Sequence, residues 1–187
     1  MLVRKKEFFN PVILSVMTVL AVFGIVSGVF SAKCSKEAYE IIKEAKLFSD
    51  NFNETLKGSF LSEIIWMLLC ALGGMNVFLI PLSAGAVFFK GYTYGFTAGC
   101  MVASLGKYGY ALTLTGLFAQ NFLSHILLVF YGTYGINKSI ECYLNRRNYD
   151  YIHRKNKAYI IVSLVSLILV MAISFTEAAV SAAVYEI

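Results

Sequence analysis

The sequence predicts an all-α integral membrane protein, a bundle of about five transmembrane helices with an extracytoplasmic amphipathic helix between the first two. The 187-residue chain is 58% hydrophobic and 14% charged, whereas about a quarter of the residues of a soluble domain are charged. Five long stretches contain no Lys, Arg, Asp or Glu: 8–32, 64–89, 91–106, 108–137 and 158–176. Because a spanning helix needs about 20 apolar residues, these stretches predict about five spans in a single polytopic domain, residues 1–187.

Each span can be placed on the chain. In order, the predicted spans are Pro11–Ser31, Glu63–Ile80, Ala86–Leu105, Leu112–Tyr131 and Tyr159–Val180. Pro11 suits the first turn of a helix, where a missing N–H costs little, and Pro81 is expected to end the second span. Lys90 is expected near the start of the third span, from where its side chain can reach the lipid headgroups.

The distribution of Lys and Arg predicts the orientation. Arg4, Lys5 and Lys6 precede an apolar run that is longer than the core of a cleaved signal peptide, which favours an uncleaved anchor. With five spans, ten Lys and Arg fall on the side of the N-terminus and six on the other side. The side with more of these residues is the cytoplasmic one. We therefore expect a protein of the bacterial cytoplasmic membrane, with its N-terminus inside and its C-terminus outside.

Small residues recur at every fourth position in two predicted spans. They are Gly24 and Gly28 in the first span, and Gly91, Gly95, Gly99 and Ala103 in the third. A spacing of four places such residues on one face of a helix, and in lipid this kind of face lets two helix backbones approach closely. We interpret both stripes as helix-packing faces within one chain. A homodimer contact is the alternative.

Polar side chains within the predicted spans form the candidate intramembrane site. They are Lys90, Gln120, Asn121 and His125. A polar residue in a span is a functional-site hypothesis by default, and the alternative is hydrogen bonding between helices. Glu177, close to the outer end of the fifth span, is the other ionisable group considered.

Two segments outside the spans have distinct character. In the exported segment, residues 33–62, the apolar side chains Ile41, Phe48 and Phe52 recur at helical spacing and form a candidate partner face. This face can also pack on the membrane or on the bundle itself. The connection at residues 137–157 carries several Lys and Arg, and we expect a basic cytoplasmic loop that lies against anionic headgroups.

The sequence carries no recognisable catalytic or ligand-binding motif. It lacks HExxH and GxSxG, and its two histidines, His125 and His153, are expected in different compartments. The four cysteines are dispersed and suggest neither a disulfide nor a metal site. The sequence therefore predicts a protein that is not an enzyme, with no cofactor, no metal and no nucleic-acid partner.

Four short motifs resemble the stage II sporulation protein M family of spore-forming bacteria. They are LIPLSAG at Leu79–Gly85, KGYTYGF at Lys90–Phe96, GKYG at Gly106–Gly109 and AQN at Ala119–Asn121. Ala119 stands where the family pattern has proline, and Ser124-His125 replace a further proline that many members carry. The motifs cover about the central third of the chain.

The resemblance implies a function in engulfment, the movement of the mother-cell membrane around the forespore. The M protein of that family is a membrane partner of two cell-wall hydrolases, the stage II sporulation D and P proteins, which remodel septal peptidoglycan. We therefore expect a non-catalytic scaffold in the septal or mother-cell membrane that anchors or localises these hydrolases. The alternative function is that of a small transporter or permease subunit.

Overall fold

The computed structural model describes residues 10–34, 52–113 and 119–185, and this part of the chain is a bundle of five helices. The helices are α1 (Pro11–Cys34), α2 (Phe52–Met75), α3 (Ile80–Leu112), α4 (Ala119–Leu144) and α5 (Tyr149–Tyr185). Four of them, all except α4, are long and apolar enough to cross a membrane. The predicted all-helical membrane bundle is therefore confirmed.

The helix α4 lies at the centre of the bundle, which explains its less apolar sequence. It packs against each of the other four helices, and every residue from Tyr131 to Ile136 is buried. Its 26 residues span about 39 Å, enough to cross a bilayer. Since so little of α4 faces outward, it needs no continuous apolar surface, and polar residues are accommodated among its neighbours.

The turn between α2 and α3 comes earlier than predicted. The chain leaves α2 at Met75, makes a short 3₁₀ turn at Val77–Leu79 and enters α3 at Ile80. The Asn76 side chain caps this turn by accepting a hydrogen bond from the Phe78 N–H at 3.2 Å. Pro81 was expected to end a helix, but it lies in the first turn of α3, where its missing N–H leaves no hydrogen bond unmade.

The connection between α4 and α5 is shorter than the predicted loop. Residues 137–144 belong to α4 and residues 149–157 to α5, so the connection itself is 145–148. The Asn148 side chain caps the start of α5 by accepting from the Tyr151 N–H at 3.1 Å. Polar contacts then join the two helix ends, as Glu141 accepts from the Tyr151 hydroxyl at 3.0 Å and lies 2.5 Å from the Lys155 ammonium.

This contact between the helix ends raises the pKa of Lys155. Burial lowers the pKa of Lys155, but the Glu141 carboxylate outweighs that effect and holds the pKa above its ordinary value. The pair is about one-third exposed, so we expect its contribution to stability to be small.

Candidate functional site: an intramembrane ion pair

Lys90 does not lie at a helix end, contrary to the sequence-based expectation. It is the eleventh residue of α3, ten residues after Ile80, and it is buried, with only 4% of its surface exposed. The expectation failed because the α2–α3 turn was placed several residues too late. With α3 starting at Ile80, no headgroup is within reach of the ammonium group, and a buried ammonium needs a partner inside the protein.

That partner is Glu63 of α2. The Lys90 ammonium donates to Glu63 Oε2 and also to Ser124 Oγ of α4, at 2.6 Å. The Ser124 hydroxyl in turn donates to the second carboxylate oxygen, Glu63 Oε1, at 2.9 Å. Three side chains from three helices thus form a closed ring of hydrogen bonds, and we refer to Glu63, Lys90 and Ser124 as the polar triad.

The polar triad lies far along its helices from the α2–α3 turn. At 1.5 Å per residue, Lys90 is about 15 Å from the start of α3, and Glu63 is about 18 Å from the end of α2. At the end of α2 near this turn, Ala71 O accepts a hydrogen bond from the hydroxyl of Tyr159, just after the charged start of α5. For comparison, half of a 30 Å hydrocarbon core is about 15 Å.

Glu177 approaches the same region from α5. It is 18 residues beyond Tyr159, about 27 Å further along the helix, which agrees with the predicted position near the far end of this span. Glu177 faces the Ser59 hydroxyl and lies within electrostatic range of Glu63 and Lys90. The ionisable groups of this region thus include two carboxyl groups, one ammonium and the imidazole of His125.

The other predicted intramembrane polar residues surround the triad. His125 is buried beside Gly91, and neither of its ring nitrogens has a hydrogen-bond partner within the described ranges. Asn121 is half-buried and lines a cavity next to Lys90. The backbone of Gln120 is helical, but its side chain lies outside the described part.

The cavity has a volume of about 120 Å³ and lies between α2, α3 and α4. Its lining residues are Ser62, Glu63, Trp66, Lys90, Thr93, Tyr94, Thr97 and Asn121. Ser62 and Thr93 are exposed, so the cavity opens at the surface of the bundle. It extends about 10 Å along α3, from Lys90 to Thr97, in the direction that leads away from the α2–α3 turn. A larger depression of about 720 Å³ is lined by residues 144–150 alone, and it is the concave side of the α4–α5 connection.

The glycine stripes of α1 and α3 face each other. A Cβ atom added at Gly91 would lie 2.7 Å from Ala21 O, and one added at Gly95 would overlap Ile25 O. A Cβ added at Gly24 or Gly28 would likewise overlap the backbone of α3. The two backbones are therefore in direct contact, which only glycine permits at these positions.

The end of the α3 glycine stripe, at Ala103, takes no part in this contact between α1 and α3, and the candidate partner face lies largely outside the described residues. Gly99 is packed against Ala32, but Ala103, four residues later, is exposed. The described α1 ends at Cys34, so it no longer lies beside α3 at the level of Ala103. In the candidate partner face, Ile41 and Phe48 lie outside the described residues, and Phe52 begins α2 with its side chain outside them.

Glu63 was missed as a site residue because it was taken for the polar start of the second span. One signal in the sequence could have found it. In an antiparallel hairpin, residues equally far from the turn lie at the same depth, and Glu63 and Lys90 lie 13 residues before and 14 after Asn76. Asn76 and Pro81 mark that turn, so the sequence predicts that the opposite charges of Glu63 and Lys90 lie at the same level of the hairpin.

The arrangement is suited to joining helices. Within the described ranges, no group of three His, Cys, Asp or Glu residues could hold a metal ion. The three members of the polar triad bond to one another, and the opposite charges of Glu63 and Lys90 neutralise each other. It fixes α2, α3 and α4 together inside the bundle, while the glycine contact fixes α1 to α3.

These features define a polytopic α-helical membrane protein whose strongest polar contacts lie within the bundle. The family model of stage II sporulation protein M matches residues 17–182, which include nearly all of the five helices. The chain belongs to this family and is a sporulation-related membrane protein. A search of curated proteins found no significant match, and neither did a search of solved structures.

Proposed function

We propose that this protein is a non-catalytic scaffold of the engulfment machinery, which anchors or localises peptidoglycan hydrolases at the sporulation septum. The observation that carries the proposal is the family match across residues 17–182. The partners would be cell-wall hydrolases that resemble the stage II sporulation D and P proteins. The protein would act in the septal or mother-cell membrane.

The internal contacts of the bundle support a scaffold. An anchor must hold its docking surfaces at fixed positions, which requires helices that do not slide past one another. The ring formed by Glu63, Lys90 and Ser124 joins three helices, and the contact of Gly95 with Ile25 O adds a fourth. In lipid, where apolar burial gives no preference for helix contact, such hydrogen bonds and close backbone packing drive association.

The proposed orientation places the candidate partner face on the side of the cell wall. With Lys90 inside the membrane, nine Lys and Arg remain on the N-terminal side, one fewer than the predicted ten, against six on the other. The positive-inside rule still puts the N-terminus in the cytoplasm. Residues 35–51 would then be exported, where enzymes that act on peptidoglycan work.

The experiment is affinity purification of the full-length protein from sporulating cells in mild detergent, followed by identification of the co-purifying proteins. We expect the two hydrolases to be recovered with the wild-type protein. The double variant Ile41→Asp and Phe48→Asp should lose them while its membrane level stays normal, because a few apolar residues carry most of the binding energy of an interface. Failure to recover any hydrolase with the wild-type protein would contradict the scaffold function.

The control for this experiment is the membrane level of the variant. If the double variant itself disappears, the predicted helix packs on its own bundle and is not a docking face. If the hydrolases are retained at normal membrane levels, the docking surface lies in the spans.

A small transporter or permease subunit is the second candidate, and the cavity beside the polar triad is the observation that favours it. Transporters bind their substrates near the bilayer midplane. Flux of a labelled substrate into proteoliposomes that contain the purified protein alone would favour this function. Co-purification of hydrolases without flux would favour the scaffold.

A further inference from the structure

The cavity beside Lys90 contains hydrogen-bonding groups that no described residue satisfies. Asn121, Ser62 and Tyr94 line it, and none of the three makes a side-chain hydrogen bond within the described part of the protein. Such groups at membrane depth are costly unless water or a ligand satisfies them. The lining of the cavity therefore leaves hydrogen-bonding groups free for a polar ligand.

The ion pair supplies one unused donor and two unused acceptor sites. An ammonium has three N–H donors, and Lys90 spends two of them, on Glu63 and Ser124. An ionised carboxylate has about four acceptor sites, and Glu63 uses two, for Lys90 and Ser124. A positive donor and a negative acceptor thus stand side by side in the wall of the cavity.

The threonines add acceptors that cannot donate. The Thr93 hydroxyl donates to Lys90 O at 2.9 Å, and the Thr97 hydroxyl donates to Thr93 O at 3.0 Å. With their protons used within α3, both oxygens offer only lone pairs to the cavity. The rings of Trp66 and Tyr94 form another part of the lining, and aromatic faces attract ammonium groups.

The charge pattern selects the class of ligand. A lone cation would meet the Lys90 ammonium, and a lone anion would meet the Glu63 carboxylate. A zwitterion with adjacent opposite charges complements both, because its carboxylate accepts the third Lys90 N–H while its ammonium donates to Glu63 and to the threonine oxygens. The ion pair need not open for such a ligand to bind.

The volume limits the size of the ligand. About 120 Å³ corresponds to roughly four water molecules at ~30 Å³ each. Because covalently joined atoms pack more closely than liquid water, a molecule of roughly five or six non-hydrogen atoms fits. We propose that the cavity formed by α2, α3 and α4 beside the Glu63–Lys90 pair binds a small zwitterionic amino acid. This site goes beyond the scaffold function and does not depend on it.

The chain carries its own reporter for a test, since Trp66 is its single tryptophan. The full-length protein in lipid nanodiscs is titrated with L-alanine, and tryptophan fluorescence and the heat of binding are both recorded. L-lactate and isopropylammonium serve as matched probes, because each keeps one charge of alanine and lacks the other. We expect a saturable signal with L-alanine and at least tenfold weaker binding of both single-charge probes.

Three variants locate the site. Glu63→Leu combined with Lys90→Met removes both charges, so that neither is left alone, and it should abolish the L-alanine signal. Thr97→Val should weaken binding about tenfold, as expected for one lost hydrogen bond to a charged group. Thr18→Val is the matched control, since the Thr18 hydroxyl also bonds to its own helix but lies on the exposed face of α1. This variant should bind L-alanine like the wild type.

Three results would overturn the proposal. One is the absence of both heat and fluorescence change with L-alanine in the wild-type protein. Another is binding of isopropylammonium as tight as that of L-alanine, which would show a plain cation site. The third is L-alanine binding that survives in the charge-free double variant, which would place the ligand elsewhere.

Discussion

Removing one charge of the buried ion pair should destabilise the protein far more than removing both. Lys90→Met leaves the Glu63 carboxylate buried inside the bundle without its counter-charge, and Glu63→Leu does the same to the Lys90 ammonium. The side chains of the two residues are only 5% and 9% exposed, so the remaining charge is largely shielded from solvent. A broken buried pair typically costs about 3–5 kcal/mol.

The double variant Glu63→Leu and Lys90→Met should be much closer to the wild type. Replacement of a buried pair by apolar side chains of similar volume is often neutral or stabilising. We therefore expect the double variant to lie within about 2 kcal/mol of the wild type. Such strong non-additivity is the signature of two residues in direct contact.

The assay is reversible unfolding by SDS in mixed micelles, followed by far-ultraviolet circular dichroism. Lys107→Met is the matched control, because it makes the same substitution in α3 at an exposed position, and it should change the free energy of unfolding by less than about 0.5 kcal/mol. Single variants that are no less stable than this control, or costs that simply add in the double variant, would refute the reasoning.

Three further predictions concern packing, capping and topology. Gly95→Ala should destabilise the bundle by about 1–3 kcal/mol in the SDS titration, because its Cβ would overlap Ile25 O. Gly85→Ala in the same helix is the control: its Cβ would meet nothing within 4 Å, so the change should be neutral or stabilising. Lys138→Met removes the ammonium that donates to Gly74 O at 3.0 Å and should cost about 1.5–3 kcal/mol in the same assay. Reporter fusions after Asn53 and after Arg147 should report the outside and the inside, respectively, and both on one side would contradict the proposed topology.

The helical architecture was predictable because it follows from hydrophobicity alone. Spans are set by the length of apolar sequence between charges, and four of the five helices show this directly. The glycine packing faces could also be predicted, since a spacing of four puts Gly91 and Gly95 on one face of a helix whatever the partner helix is.

The ion pair was not predictable by the same means. The hydrophobic pattern says where charges are absent, but it does not say which two charges meet across a turn. The pairing of Glu63 with Lys90 depends on where α2 ends and α3 begins. That boundary is set by Asn76, whose side chain caps the 3₁₀ turn, and by Pro81 in the first turn of α3. A shift of a few residues there moved Lys90 from the predicted end of a span to the interior of α3.

The identity of the neighbours of α4 was likewise beyond sequence reasoning. Its polar residues Asn121 and His125 marked it as unusual, but whether they face a ligand, a partner or another helix depends on tertiary packing. In the structure Asn121 faces the cavity and His125 lies beside Gly91.

The most direct test of the proposed function is engulfment itself, observed by membrane-dye microscopy in a sporulating host that lacks this protein. If the protein anchors the septal hydrolases, the mother-cell membrane should stop at the septum in cells without it, and should migrate around the forespore again when the full-length protein is restored. Normal migration in cells that lack the protein would contradict the account.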